Sequence, residues 1–494
     1  MNKRKSGILL HITSLPGNEG IGTLGKEAYR FVDFLQESGQ KLWQILPLGP
    51  AGAGSSPYQC YSAFAGNPLM IDLEFLSEEG LISEEILVKR PKFLQKRVDF
   101  EKVEHWKSPL LAQSFNRFKT GYFERFKYEY WEFLDEHAWW LNNHALFMAA
   151  RQHFKAITWN KWPRGIKFRE KETLQELSDT LSEEIEFQKY LQFLFFRQWH
   201  RLKAYANQKQ IEVIGDVPLY ISGESSDIWA NTDIFLLDDK LEPTVVGGVP
   251  PDYFSETGQL WGNPVFNWSR LEEREYDWWL ARLHFNLRMF DRVRIDHFRG
   301  LESFWAIPAK EKTAINGTWV PAHGHKLLNR LKGHLGELLF IAEDLGIITP
   351  EVDKLREDFD LPGMKVLQFA FTNDAANKDL PHNYGQNFVV YTGTHDNDTT
   401  LGWLQSVKGE EKEMLEKYTG EPVGRQLGKI VEMAMASVAD TAILPMQDVL
   451  ELDTSARMNT PGTPNGNWEW RFQWKQLKAG QKKFLKTVTG KYNR

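Results

Sequence analysis

Cysteine is all but missing from this chain of 494 residues: Cys60 stands alone. A single thiol cannot close an internal disulfide, which excludes a disulfide-stapled scaffold and fits a reducing compartment. Long apolar runs are missing too. No stretch approaches the roughly eighteen apolar residues that a membrane span needs. The run Ile8-Leu-Leu10, behind a basic N-terminus, is too short for a signal-peptide core. A cytoplasmic protein without membrane contact is therefore expected. Basic charge is not in excess either: 60 Lys and Arg against 66 Asp and Glu leave a formal net charge of −6, which argues against nucleic acid as a partner. Nor does a Gly-rich phosphate loop follow the first apolar run, as a dinucleotide-binding sheet would often carry.

What is present describes a folded enzyme-sized chain. Apolar residues make up 42% and charged residues 26%, enough for an ample core under a solvated surface. The length allows two or three ordinary domains, or one barrel with insertions. Aromatics reach 13%, with 19 tryptophans. Most are expected in the core, but those in Gly/Pro-rich loops suit a ligand with an apolar face and a polar edge.

Along the chain, short apolar runs recur at residues 7–12, 42–46, 211–215, 292–296, 338–342, 364–369, 388–391 and 441–445. Several are separated by helical periodicity, as where Ala28, Phe31, Val32 and Leu35 precede Gly39. Helices are also expected over 271–290, from Thr349-Pro350, over 423–438 and at the Lys-rich end. Residues 69–206 read differently: long, charged, aromatic and mostly of helical period, too long for a connection between a strand and a helix. The pattern predicts an α/β fold, a (β/α)₈ barrel with large, mainly helical insertions and no separate C-terminal β domain. Residues 1–68 and 207–494 form the expected barrel, with a loop insertion around 217–268, and 69–206 form a helical subdomain. A doubly wound sheet is the rival architecture.

Acidic residues stand at the ends of four of these runs: Asp216, Asp296, Glu343 and Asp396. In a barrel those ends form the face where active sites are built. Singly, each reads as a turn or cap former. Together with Arg294, His297 and His395 they read as a site. The stretch Arg292-Val-Arg-Ile-Asp-His-Phe-Arg-Gly300 alternates as a strand and delivers a carboxylate flanked by cations, so a structural ion pair at a strand end is the competing reading. Converging carboxylates suit two chemistries: holding a hard cation, or cleaving a glycosidic bond as an acid and nucleophile pair. Arg294, two residues before Asp296 and on the same side of the strand, favours an ionised Asp296 and opposes a dication.

These residues carry a family resemblance. Arg292 to Gly300 is similar to the nucleophile region of the α-amylase clan, Ile341-Ala-Glu-Asp-Leu-Gly346 to its acid/base region, and Thr394-His-Asp396 to its His-Asp region. Within that clan, Ser56-Pro-Tyr-Gln59, Ser62-Ala-Phe-Ala-Gly-Asn-Pro68, Gly248-Val-Pro-Pro-Asp-Tyr-Phe-Ser255 and Gly258-Gln-Leu-Trp-Gly-Asn-Pro264 resemble the amylomaltases, the 4-α-glucanotransferases of glycoside hydrolase family 77. The likeness extends from His11-Ile-Thr-Ser-Leu-Pro16 to the loop ending at Trp468.

The resemblance implies a cofactor-free, metal-free retaining transferase acting on α-1,4-glucans and maltooligosaccharides. Asp296 is the implied nucleophile and Glu343 the acid/base. Asp396 and His395 are implied to bind the reacting ring, with Tyr58 and Asp216 at its border and Arg294 holding Asp296 ionised. Retention implies carboxyl groups about 5–5.5 Å apart. Residues 247–264 are a candidate lid with Tyr253, Phe254 and Trp261 as stacking faces, and Gln259, Asn263 and His297 are further candidate substrate contacts. A hydrolase of the same clan, a glucan-binding protein without activity and a metal-dependent barrel enzyme remain the alternatives. His11 and the indoles of Trp43, Trp305 and Trp403 are open between core and site.

Overall fold

The computed structural model describes residues 4–251, 255–372, 374–422 and 426–494. Eight parallel strands form its centre: β1 (Lys5–Leu9), β2 (Leu42–Gln44), β3 (Glu212–Val217), β4 (Arg292–Ile295), β5 (Phe340–Ala342), β6 (Gly363–Val366), β7 (Phe388–Tyr391) and β8 (Thr441–Pro445). Their order is β6-β7-β8-β1-β2-β3-β4-β5, which is chain order closed on itself. Val293, Ile8, Trp43, Val213, Val389 and Ile443 are fully or almost fully buried, as expected where helices cover the outside of a parallel sheet. This is the (β/α)₈ barrel.

The seam between β5 and β6 is closed by the residues beside a candidate carboxylate. The N–H of Ala342 donates to the Pro362 carbonyl at 2.8 Å. The buried Asp344 accepts from the N–H of Met364 at 2.6 Å and faces Arg356 Nε at 3.3 Å. A Cβ at Gly363 would lie 2.4 Å from Asp344 Oδ2, so glycine is what lets this side chain in.

The eight expected runs all become barrel strands, but their limits move. β3 continues two residues past its expected end, because Asp216 and Val217 pair with Arg294 and Ile295 of β4. β6 stops early, and Leu367–Phe369 turn as a 3-10 helix. The helix expected over 271–290 is two, Trp268–Glu273 and Asp277–Met289, broken where Glu275 and Tyr276 adopt positive φ of 52° and 60°. The helix expected from 423 is Leu427–Ala436, and Val423 itself lies outside the described residues.

One layer went unforeseen. Four antiparallel strands, ordered Gln259–Pro264, Val245–Val249, Ser303–Pro308 and Thr318–Pro321, form a second sheet from the segments after β3 and β4. The expected loop around 217–268 is therefore partly β structure. Glycine hid it: a Cβ at Gly248 would come within 2.2 Å of the Gln259 carbonyl, so the residue type that weakens a strand signal is required for this pairing.

Between β2 and β3 the chain is helical, with Phe100–Arg117, Phe123–His153 and Ser182–Gln208 the longest elements. Two glutamines of the last helix hold the loop after β2. Gln192 exchanges hydrogen bonds with the Gly66 backbone at 2.8 and 3.0 Å, and Gln198 does the same with Asp72 at 2.7 and 3.1 Å. The loop bearing Tyr58 thereby rests on a rigid helix.

Candidate active site

Arg294 organises the mouth of the barrel. Its Nη1 donates to both oxygens of Asp216, at 2.8 and 2.7 Å, and its Nη2 donates to Asp296 Oδ1 at 2.9 Å. The register dictates this: Asp216 and Arg294 are paired neighbours on β3 and β4, and Asp296 lies two residues on, on the same side. The Asp216 side chain is sealed, at 0% exposure, whereas that of Asp296 keeps 28%. Asp296 is thus the carboxylate that reaches solvent, with Oδ2 turned away from the guanidinium bond.

Tyr58 extends the network. Its hydroxyl donates to Asp216 Oδ2 at 2.7 Å and lies 2.9 Å from His395 Nε2. With the phenol proton given to Asp216, the Tyr58 oxygen accepts from Nε2–H, which fixes the histidine tautomer. The two rings stack at 5.3 Å and 15°. Burial lowers the pKa of His395, so it is neutral.

Glu343 follows β5, next to β4 in the barrel. Its oxygens accept from the N–H groups of His297 at 2.6 Å and Leu345 at 3.0 Å. The first bond depends on His297 adopting left-handed backbone angles, φ 52° and ψ 47°. Burial raises the pKa of Glu343 against the opposing charge of Arg294, and the charge on Asp296 adds to the rise. Burial raises Asp296 as well, but its direct bond to Arg294 opposes that. Of the two carboxylates, only Asp296 is bonded directly to the guanidinium.

Asp396 is oriented by two residues that sequence reasoning missed. Asn459 donates to Asp396 Oδ1 at 2.6 Å, and Arg457 Nη2 donates to the Asp396 carbonyl at 2.6 Å. The other oxygen, Oδ2, is 3.4 Å from His395 Nε2. Trp468 packs against both Tyr58 and His395, at 5.7 and 5.9 Å. The signal for these residues is their position in the loop after β8, on the same barrel face.

His297 is half-buried, and desolvation of its ring pushes its pKa down to about 3, so the ring is neutral. Its Nε2 has no hydrogen-bond partner among the described residues. Trp261 meets it edge-on at 4.8 Å and 89°, and the Trp261 indole donates to Gln259 Oε1 at 3.2 Å. Asn263 donates to the Ile221 carbonyl at 2.9 Å and accepts from Gln59 at 3.0 Å. These three residues lie on the strand Gln259–Pro264. Tyr253 and Phe254 lie outside the described residues.

The three tryptophans left open between core and site have structural partners. Trp43 donates to the Leu10 carbonyl, Trp305 to that of Ala314 and Trp403 to Glu411. His11 is buried, with its pKa lowered by burial to about 3.

Comparison with known proteins agrees with this geometry. A glycoside hydrolase family 77 model, described as 4-alpha-glucanotransferase, matches residues 10–477. The chain is 47% identical over 498 residues to a 4-alpha-glucanotransferase of Synechocystis, covering 100% of this chain and 99% of the relative. It is 48% identical over 476 residues to one of Thermus thermophilus, covering 95% and 94%. Among solved structures it is similar to the amylomaltase of Streptococcus agalactiae in complex with acarbose, with a TM-score of 0.97, 41% identity and full coverage of both chains.

Proposed function

This chain belongs to the 4-alpha-glucanotransferases of glycoside hydrolase family 77, and on that premise we propose that Asp296 is its nucleophile, Glu343 its acid/base and Asp396 the third catalytic carboxylate, which binds hydroxyls of the reacting ring and stabilises the transition state. The enzyme transfers a segment of an α-1,4-glucan to the 4-hydroxyl of glucose or of another glucan. An oxygen of Asp296 attacks the anomeric carbon while the bond to the leaving 4-oxygen breaks, and that oxygen takes the proton from Glu343. The covalent glucosyl-enzyme is then attacked by the acceptor 4-hydroxyl. Its proton returns to Glu343 as the bond to Asp296 breaks.

The observation that carries this reading is the division of labour around one cation. Arg294 is bonded directly to Asp296, whereas Glu343 accepts only from neutral backbone N–H groups, whose lowering of its pKa is smaller than the rise that burial causes. A guanidinium bond favours the ionised carboxylate, and burial favours the protonated one. The same cation, threaded among the carboxylates, opposes a metal dication. His395 and Asp396 suit the hydroxyls of the reacting ring, with Tyr58 and Asp216 behind them. His297, Gln259, Trp261 and Asn263, with Tyr253 and Phe254, are assigned to the glucan beyond it.

The assignment has a pH signature. A carboxyl group with a raised pKa keeps its proton below that pKa and loses it as pH rises through it. Glu343 is raised by burial, so the alkaline limb of kcat/KM is expected well above the ordinary carboxylate range, and lowering pH through it restores activity. Glu343→Gln should lower turnover by about 10²–10⁴-fold and abolish that limb. A limb that persists in Glu343→Gln excludes Glu343 as the acid.

Incubation with maltotriose tests the reaction as a whole. Glucose with a ladder of longer maltooligosaccharides is expected. Glucose and maltose without longer products would overturn transfer in favour of hydrolysis, and unchanged maltotriose would leave only binding. Full activity in chelator is expected as well.

With this reading we keep residues 1–68 and 207–494 as the catalytic barrel, with 69–206 as its helical insert. The lone Cys60 supports a cytoplasmic setting. Among the described residues no helix is long and apolar enough to cross a membrane.

A further inference from the structure

The helix Phe123–His153 carries aromatic rings that the reaction does not use. Tyr128, Trp131 and Trp139 stand at i, i+3 and i+11, which at about 3.6 residues per turn puts them on one face. They are 74%, 50% and 48% exposed. Tyr128 and Trp131 meet at 6.0 Å with their planes at 89°, forming an open notch. At the other end, Trp139 packs edge-on against Phe64 at 4.8 Å. Phe64 belongs to the loop that carries Tyr58. The stripe therefore runs from open surface to the loop bordering the active site.

Exposed aromatics aligned in this way mark a binding surface. Charge decides the kind of occupant. Lys127, whose ammonium lies 5.3 Å from the Tyr128 ring, is paired with Glu124, whereas Glu132 and Asp135 border the rings, are exposed, and make no ion pair among the described residues. A second copy meeting this face across a two-fold axis would set like charges together. A neutral polyol meets no such penalty, and its hydroxyls can donate to the free carboxylates. Two rings at right angles also offer separate faces to a curved chain of pyranose rings, each apolar on its face and polar at its edge.

We propose that Tyr128, Trp131 and Trp139 form a surface site that holds a long α-glucan chain outside the catalytic cleft. The proposal rests on the reading above only for the class of ligand. Its consequence is a preference for polymeric substrates that short ones do not share.

The test is the variant Tyr128→Ala/Trp131→Ala, which leaves Trp139 on Phe64 and alters exposed rings only. Wild-type protein is expected to be retarded in native gels containing soluble amylose, and the variant to lose most of that retardation. Its apparent KM for amylose should rise about threefold or more, with kcat and KM for maltotriose within about twofold of wild type. Retardation and amylose KM equal to wild type overturn the proposal. So does a wild-type dimer that becomes monomeric in the variant with retardation intact, because the face is then a contact between copies. Should wild type fail to convert maltotriose while the variant still loses retardation, the reaction assignment fails and the surface site stands.

Discussion

Asp296→Asn is expected to lower maltotriose disproportionation by on the order of 10⁴-fold or more, while the fold and glucan affinity persist. The amide retains the shape and can still accept from Arg294 Nη2, so the network around Asp216 stays in place. What is lost is the oxygen nucleophile, and with it the covalent intermediate. A donor with an activated leaving group separates this loss from that in Glu343→Gln. α-Maltosyl fluoride needs no proton to leave, so Glu343→Gln should react with it and accumulate covalent enzyme visible by mass spectrometry. Asp296→Asn should form none. Near-normal transfer by Asp296→Asn, or adduct formation at another residue, removes Asp296 from the role.

Arg294→Met is expected to cost about 3–5 kcal/mol of stability, because Asp216 is left as a buried charge without its cation. Denaturant unfolding read by fluorescence measures it. The double variant Arg294→Met/Asp216→Leu, with both charges removed, should regain much of that loss. Activity should not return with it. Asp296 then has burial raising its pKa and no guanidinium opposing the rise, so the acid limb of the pH profile should move to higher pH. A double variant that is stable and fully active would show that Arg294 serves only the fold.

The sequence made the barrel legible because parallel strands buried on both faces read as short apolar runs, and all eight fell in the sheet. It made the carboxylates legible because each follows such a run. Limits were harder, since register is set by the neighbouring strand: Asp216 belongs to β3 only because Arg294 pairs with it. The second sheet was obscured by the glycines that let Val245–Val249 approach Gln259–Pro264. Asn459 and Arg457 were missed because their role is a contact with Asp396 across 63 and 61 positions of chain. No local pattern records such a contact. The His297 backbone, left-handed without glycine, was equally silent in sequence, yet it aims the N–H that holds Glu343.

Glu343 and Asp344 are adjacent just past the end of β5, and their side chains serve different duties. One faces the cleft, and the other pins β6 through Met364 and Arg356. The proposed proton donor is therefore mounted beside the clasp of the barrel. If heat or denaturant springs the β5–β6 joint, the donor shifts before the rest of the wall has parted. Opening of that joint is therefore expected to cost transfer activity even while the other strands stay paired, and activity followed beside fluorescence through a denaturant series measures it.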